Sequence, residues 1–350
     1  MGPARAKFFR NQSRDFRGKK FGFCSRQTAR VLLKKSPNWR FFGRIIFMKE
    51  KITIVTHNVR FHSDDVFAVA ALKLLLKDKE ISIIRTRDEE WFKKGDYVVD
   101  VGGIYDSENN RFDHHQIGGA GERDNGISYA GFGLVWEKFG RQICNSDEIS
   151  SRIDKKLVQC IDAGDNGIDI FKPIFQGVRE YTIGNITNLY LPNWKEVNKD
   201  IDEEFLKAVE WAQTILEREI EIMRYWIEAE KIIDEHYKKA KDKRLIVFND
   251  EENNFNRMTI VNKLLQYSEP IYAVVYVASA KDWQLVAVNK DSNTYESRKP
   301  LPKSWQGLRD KELADVTGVL DAIFCHRNGF MCITKSRDGA VKLGELALDS

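Results

Sequence analysis

Residues 52–76 have the sequence ITIVTHNVRFHSDDVFAVAALKLLL, in which a β-branched run gives way to an apolar run of a different period. Ile52–Thr56 has the composition of a short strand. From Asp64 to Leu76 the apolar residues recur at helical spacing, and the two aspartates at the start suit the positive end of a helix dipole. This stretch predicts a strand that leads into a helix through a polar connection.

The same alternation continues along the first half of the chain. Further strands are predicted at Ile81–Arg85 and Tyr97–Val101, and further helices at Tyr129–Phe139 and Asp154–Ala163. Strands that alternate with helices form a parallel sheet with helices on its faces. The four glycines of Gly118–Gly126 indicate a mobile surface loop. The expected fold class is therefore α/β.

A second, smaller α/β unit is predicted toward the carboxyl end. Asp202–Lys241 contains neither Gly nor Pro and carries apolar residues on one face, which predicts a single long helix. Such a helix either connects two domains or forms an oligomer contact, and we favour a connector. Strands are then predicted at Leu245–Phe248, Ile271–Ala278 and Leu285–Val288, followed by a closing helix at Gly339–Leu348.

Four parts make up the expected organisation: a basic extension at 1–47, an α/β domain at 48–195, a connecting helix at 196–242 and a smaller α/β domain at 243–350. The length of 350 residues suits about two domains. A hydrophobic share of 42% and a charged share of 31% are ordinary for a soluble globular protein. No apolar run reaches the ~18 residues that a spanning helix needs, which excludes an integral membrane protein.

The basic character of the chain is concentrated in its first 47 residues, which carry 13 basic side chains against one acid, whereas the other 303 carry 43 basic and 51 acidic ones. This extension is an Arg-rich presequence, a basic arm for nucleic acid, or non-native sequence before a natural start at Met48. The five cysteines show no CxxC spacing, which argues against a disulfide scaffold or a Cys-based zinc site. We expect a cytoplasmic protein, or a mitochondrial or other organellar one if the extension is a presequence.

Side chains that bind metal ions gather near the predicted strand ends, where four of the six histidines fall within 59 residues. These histidines and the carboxylates near them are His57, His62, Asp64, Asp100, Asp113, His114, His115, Asp162 and Asp165. In an open α/β sheet, residues beyond the carboxyl ends of the strands converge on one crevice. Mixed imidazoles and carboxylates suit Mn²⁺, Fe²⁺ or Zn²⁺. A single such residue is more often structural, but the whole set predicts a metal site.

The number of candidate ligands exceeds four, which points to two ions that share a carboxylate at a separation of ~3.5–4 Å. Such a pair clamps a phosphoryl oxygen and activates a hydroxide that attacks phosphorus. The residues also form motifs: THN at 56–58, FHSD at 61–64, RTRD at 85–88, VDVGG at 99–103, FDHHQ at 112–116, DAGDNG at 162–167, LPKSWQGLRD at 301–310 and HRNGF at 326–330. These motifs resemble the DHH phosphoesterase superfamily, and more closely the MYG (melanocyte proliferating gene) family of exonucleases. The resemblance covers Lys51 to Leu348.

The resemblance implies a DHH-type parallel-sheet catalytic domain joined by the long helix to a smaller substrate-binding domain. It implies two divalent ions, most simply Mn²⁺. One ion would be held by His57, His62 and Asp100, and the other by Asp64, Asp100, His114 and Asp165, with Asp162 as the competing choice for the last ligand. Asp100 would bridge the ions, and Asp100, His114 and His115 would form the catalytic group, with His115 facing the phosphate.

Substrate would be held in the carboxyl-terminal part by Arg298, Arg309 and His326, since guanidinium groups suit phosphate. Trp305 is either a stacking face for a base or a core residue. The resemblance implies a 3′→5′ exoribonuclease that acts on single-stranded RNA or short oligonucleotides, and a homodimer is possible. The alternatives are a phosphoesterase for pyrophosphate, cyclic dinucleotides or nucleoside phosphates and, less favoured because every ligand is present, a non-catalytic scaffold.

Overall fold

A computed structural model describes residues 51–248, 257–292 and 294–350. The described chain contains two five-stranded sheets and helices that pack on them, so the expected α/β class is confirmed. The basic extension predicted at 1–47 lies outside the described residues. Within the described residues, no helix is both long and apolar enough to cross a membrane.

The first sheet is parallel except at one edge. Its strands are β1 (Lys51–Thr56), β2 (Glu80–Arg85), β3 (Tyr97–Val99), β4 (Tyr105–Asp106) and β5 (Arg111–Phe112). Their order is β2-β1-β3-β5-β4, and only β4 runs antiparallel to its neighbour. The predicted strand at Tyr97–Val101 ends two residues early, because Asp100 adopts a left-handed conformation with φ of 54°.

Helices cover this sheet and enclose its core. They are α1 (Ser63–Leu75), α2 (Glu89–Lys94), α3 (Gly131–Cys144), α4 (Asp147–Ile153), a π-helical turn (Asp154–Val158), α5 (Gln159–Asp165) and α6 (Ile183–Thr187), which a 3₁₀ turn (Asn188–Tyr190) follows. Every side chain from Val66 to Leu72 is fully buried, so α1 is enclosed on all sides. The segment predicted as one helix at Asp154–Ala163 forms the π-helical turn, and α5 follows it directly.

The long helix, α7 (Ile201–Lys239), contributes to two cores. Its first half places Phe205, Val209 and Ala212 against the core of α1. Ile233, near its end, belongs to a second core together with Phe248. The domain boundaries given above stay predictions, as does the homodimer.

The second sheet is mostly antiparallel. Its strands are β6 (Leu245–Val247), β7 (Tyr272–Val277), β8 (Asp282–Ala287), β9 (Ala322–Cys325) and β10 (Met331–Thr334), in the order β6-β7-β8-β10-β9. Among the described strands of this sheet, only β6 and β7 pair in parallel. The helices of this part are α8 (Arg257–Leu264), α9 (Asp310–Thr317) and α10 (Arg337–Asp349). The sequence did not predict the β9–β10 hairpin, which turns through residues 326–330.

Candidate metal centre

The predicted metal ligands lie where three parallel strands end. His57 follows β1, Asp100 follows β3, and His114 comes two residues after β5. Since β1, β3 and β5 are consecutive neighbours in the sheet, these three side chains share one edge. His62 and Asp64 lie at the start of α1, and Asp165 is the last residue of α5.

Asp100 lies at the middle of this cluster. Its carboxylate is 3.2 Å from His57 Nε2, 3.3 Å from His114 Nε2 and 3.4 Å from His115 Nδ1. The left-handed backbone at Asp100 directs the chain sharply out of β3, and Gly102 and Gly103 follow with positive φ. One buried carboxylate thus lies within reach of three imidazoles.

A second carboxylate shares His114. Asp165 Oδ2 is 3.2 Å from His114 Nε2, and its Oδ1 is 3.8 Å from His62 Nδ1. Asp64 Oδ2 lies 3.8 Å from His114 Nε2. Three groups have ligand atoms within 4.8 Å of one another, as a bound ion requires: His57, His62 and Asp100; His62, Asp64 and Asp165; and Asp100, His114 and His115.

Several polar atoms of the cluster are buried and have no hydrogen-bond partner among the described residues. They are Asp64 Oδ1, Asp65 Oδ2, both carboxylate oxygens of Asp100 and His114 Nε2. The imidazole nitrogens of His57 and His114 lie 3.2 and 3.3 Å from the Asp100 carboxylate, but the angles are not those of a hydrogen bond. Buried carboxylates without donors are costly, and a cation removes that cost. The donor set therefore fits divalent metal ions.

Burial and close contacts within the cluster shift the pKa values of Asp64, Asp100 and His114. Burial, together with the carboxylates of Asp100 and Asp165, raises the pKa of Asp64 well above its ordinary value. Burial acts on Asp100 in the same direction, but contacts with His114 and His57 outweigh it and lower the pKa of Asp100 to about 2. Burial lowers the pKa of His114, yet Asp100 and Asp165 raise it overall to about 10. The carboxylates of Asp100 and Asp165 thus favour positive charge at the position of His114.

Sequence reasoning missed Asp65, which belongs to the same cluster. Its Oδ1 accepts hydrogen bonds from the amides of His62 (2.9 Å) and Val66 (2.8 Å), and its Oδ2 lies 3.2 Å from His57 Nε2. Burial raises the pKa of Asp65 to about 7, against the opposing charge of His57. An acid at the third position after a helix cap is typical of a capping box, and this pattern in HSDD could have identified it.

Asp113 holds the two histidines that follow it. Its Oδ1 accepts hydrogen bonds from the backbone amides of His114 (2.8 Å) and His115 (3.2 Å), and its Oδ2 accepts one from Gly103 (2.5 Å). The His115 ring lies with Nδ1 2.8 Å from the same Oδ1. This contact raises the pKa of His115, whose side chain is 59% exposed, so an exposed and more readily protonated imidazole faces outward from the cluster.

Asp162, the competing choice for the last ligand, lies in a different environment. Its Oδ2 is 2.8 Å from Arg123 Nη1, and its Oδ1 accepts a hydrogen bond of 3.0 Å from the amide of Gly133. A Cβ atom at position 133 would lie 1.8 Å from Asp162 Oδ2, so only glycine fits there. Asp162 is in none of the three candidate groups, whereas Asp165 is in one.

The predicted substrate residues of the carboxyl-terminal part differ in their contacts. Arg298 donates to the backbone carbonyls of Leu265, Ser268 and Pro270, so its guanidinium holds a loop. Arg309 is exposed, with Cζ 4.3 Å from the centre of the Phe324 ring. The Nδ1 of His326 accepts a hydrogen bond of 3.1 Å from the amide of Asn328. Trp305 is buried in a further core of the carboxyl-terminal part, together with Leu301 and Leu313, which makes it a core residue.

Fold and site together define an α/β protein with a histidine–aspartate cluster of metal-site composition at the carboxyl edge of a parallel sheet. The profile of the family described as "Uncharacterised protein family (UPF0160)", named MYG1_exonuc, matches residues 53–348. The chain belongs to this MYG1 exonuclease family, which confirms the resemblance found in the sequence.

Known relatives match over most of their length. A MYG1 protein of Caenorhabditis elegans is 30% identical over 329 residues, which cover 85% of this chain and 95% of that protein. The human MYG1 exonuclease is 29% identical over 330 residues, with 84% and 85% covered. Among solved structures, RecJ in complex with Mn²⁺ from Thermus thermophilus is similar with a TM-score of 0.27 and 10% identity, covering 85% of this chain and 52% of that one.

Proposed function

We propose that this protein is a divalent-metal-dependent phosphodiester hydrolase, specifically a 3′→5′ exoribonuclease that uses two ions, most simply Mn²⁺. The observation that carries the proposal is the set of buried carboxylate oxygens without hydrogen-bond donors on Asp64 and Asp100, at the edge where three parallel strands end. Membership of a family whose human and mouse members are named exonucleases supports the reaction class.

The cluster divides into ligands for two ions. His57, His62 and Asp100 would hold one, and this set agrees with one of the candidate groups. Asp64, Asp100, His114 and Asp165 would hold the other, with Asp100 shared. When bound, such ions supply Lewis-acid stabilisation of phosphoryl oxygens and lower the pKa of water. Nitrogen and oxygen donors in this mixture favour Mn²⁺ over Mg²⁺ or Ca²⁺, which prefer oxygen alone.

His115 has a separate role at the exposed side of the cluster. Asp113 fixes its Nδ1, which leaves Nε2 as the nitrogen that can donate to a substrate oxygen. Its raised pKa favours the charged imidazolium, which stabilises negative charge that develops on a phosphate. His115 thus orients the phosphate, while the six residues named above hold the metal.

The test is incubation of the purified chain with Mn²⁺ and single-stranded RNA labelled at its 5′ end. We expect a ladder that shortens from the 3′ end and that disappears in the Asp100→Asn variant. Asp78→Asn is the matched control, because Asp78 is exposed and lies outside the cluster.

Absence of RNA cleavage by the unmodified chain, with metal bound, would overturn the exonuclease proposal. Variant-sensitive release of phosphate from pyrophosphate or dinucleotides would then assign a small-molecule phosphoesterase. Release of the 5′ label as a mononucleotide without a ladder would overturn the polarity alone.

A further inference from the structure

Three rings of the β9–β10 hairpin and two guanidinium groups from elsewhere in the chain form a continuous row. Arg309 lies over Phe324, and the Phe324 and His326 ring centres are 6.2 Å apart. The rings of His326 and Phe330 are 4.1 Å apart, and Arg257 Cζ is 4.7 Å from the centre of the Phe330 ring. We call these five residues the cation–aromatic row. It joins two of the predicted substrate residues to Arg257, which the sequence did not single out.

A cavity of about 610 Å³ adjoins the Arg257 end of the row. Its wall includes Met258, Val261, Pro300, Asn328 and Phe330. The volume is within the usual range of small-molecule sites, and the lining combines apolar side chains with a few polar groups, as such sites do. No residue of the metal cluster lines the cavity, so any ligand there is bound apart from the metal centre.

Arg257 gives the cavity a cation. Among the described residues, no carboxylate pairs with its guanidinium, whose contact is the Phe330 ring. Glu296 also lines the cavity, but its carboxylate is paired with Lys290. Partial burial lowers the pKa of Arg257, although a guanidinium stays charged at neutral pH. A half-buried cation of this kind is stabilised by an anionic ligand, and a planar guanidinium suits phosphate.

His326 is prepared as a hydrogen-bond donor toward the same ligand. Because its Nδ1 accepts the amide hydrogen of Asn328, the proton of the neutral ring lies on Nε2. His326 therefore presents an N–H group between the two phenylalanines of the row, and Arg309 adds a second cation at the far end. Phosphate-binding groups alternate with rings along the row, an arrangement typical of surfaces that bind single-stranded nucleic acid.

We propose that the cavity is a nucleotide-binding subsite, in which Arg257 contacts a phosphate and the apolar wall of Met258, Val261 and Pro300 receives the base. The cavity and the cation–aromatic row together hold a nucleotide of the substrate strand that is not the nucleotide being removed. This inference rests on the proposed function, since it takes the substrate to be a nucleic-acid strand. The same chemistry would also bind a free mononucleotide.

Binding is measured on the full chain carrying Asp100→Asn, in the presence of a chelator, so that cleavage plays no part. The probes are a fluorescent oligouridylate octamer, followed by anisotropy, and unlabelled UMP, followed by calorimetry. Into this background we introduce Arg257→Met, Arg257→Lys and the control Arg218→Met, since Arg218 is an exposed residue of α7 outside the row and cavity. Unmodified chain is assayed separately for RNA hydrolysis.

We expect Arg257→Met to weaken octamer binding by about five-fold or more, Arg257→Lys to be intermediate because it keeps charge without the planar fork, and Arg218→Met to match its parent. Equal octamer affinity in Arg257→Met and its parent, or no octamer binding by the parent, would overturn the proposal. Sensitivity of UMP binding alone would assign a free-nucleotide site and overturn the strand subsite.

A second measurement needs no change at position 257. Irradiation of the Asp100→Asn chain with an octamer containing 4-thiouridine should place the crosslink within residues 257–261 or 328–330. Crosslinks found only outside these residues would overturn the subsite even if Arg257→Met fails to fold. If the unmodified chain hydrolyses RNA but no crosslink forms within residues 257–261 or 328–330, the proposed function stands and the subsite is overturned. If the crosslink forms there but the unmodified chain does not hydrolyse RNA, the hydrolase proposal is overturned.

Discussion

Arg85 donates a hydrogen bond of 2.8 Å to the backbone carbonyl of Val59. Val59 lies between the candidate metal ligands His57 and His62 and has a φ of 71°, which is unfavourable for a β-branched residue. The Arg85 side chain is 3% exposed, pairs with Asp202 of α7 and lies over the ring of Phe205. The Arg85 guanidinium thus connects the strained segment between two candidate metal ligands to the long helix.

Replacement of Arg85 should therefore loosen the metal centre without removal of a ligand. We expect Arg85→Met to lower the free energy of unfolding by about 1–3 kcal/mol, because the Val59 carbonyl and Asp202 lose a charged donor. Mn²⁺ affinity should also fall, because His57 and His62 lose their fixed spacing. Urea unfolding and calorimetric Mn²⁺ titration measure the two effects.

Val59→Gly provides the matched test at the other end of this hydrogen bond. Glycine adopts positive φ without strain, so this variant should keep Mn²⁺ affinity and gain or hold stability. Unchanged Mn²⁺ binding in Arg85→Met, together with a large loss in Val59→Gly, would contradict the assigned role of Arg85.

Substitution of the two aspartates of DAGDNG should have different effects: one should lower the metal affinity, and the other should lower the stability. Asp165→Asn removes a carboxylate that contacts His114 and His62, so Mn²⁺ affinity should fall by at least about tenfold. Asp162→Asn removes the buried partner of Arg123, which keeps its second partner Asp154, so the free energy of unfolding should fall by about 1–3 kcal/mol. Metal titration and urea unfolding of both variants separate these effects. Equal metal affinities in the two variants would contradict the assignment of Asp165, and not Asp162, as the metal ligand.

Addition of metal should stabilise the folded chain through the carboxylates that lack donors. At a free Mn²⁺ concentration of about 100 times Kd, we expect a gain of about 2.7 kcal/mol per site, which a chelator reverses. Asp100→Asn should lose most of this gain, because Asp100 lies within reach of three imidazoles. Thermal unfolding with and without Mn²⁺ measures it, and an equal upward shift in Asp100→Asn would show that the ion binds elsewhere.

The parts of this molecule that the sequence predicted are those encoded by local pattern. The β-branched run of β1, the apolar spacing of α1 and the uninterrupted face of α7 each identify one element, and parallel pairing then brings Asp100 to His57. Asp65 was missed because its contact with His57 depends on how α1 packs on the sheet. The β9–β10 hairpin was missed because strands of four residues are too short to show a period. Arg257 was missed because its ring contact joins residues far apart in the chain.

His114 and His115 should separate metal binding from substrate positioning, although they are adjacent in sequence. The His114 side chain is 7% exposed and contacts three carboxylates, whereas that of His115 is 59% exposed and is fixed by Asp113. We expect His114→Ala to lower Mn²⁺ affinity by about tenfold or more. His115→Ala should keep most of the metal affinity and lower kcat by about 10²–10³-fold, as loss of one donor to developing charge does.

The measurements for this pair are Mn²⁺ calorimetry and steady-state hydrolysis of labelled RNA at saturating Mn²⁺. His115→Gln is the conservative control, because its amide keeps a donor near the position of Nε2 and should recover part of kcat. If His115→Ala and His114→Ala lost Mn²⁺ affinity equally, His115 would be a metal ligand, as the candidate group of Asp100, His114 and His115 allows. The phosphate-orienting role would then be withdrawn, and that ion would have one candidate ligand that follows β3 and two from the turn after β5.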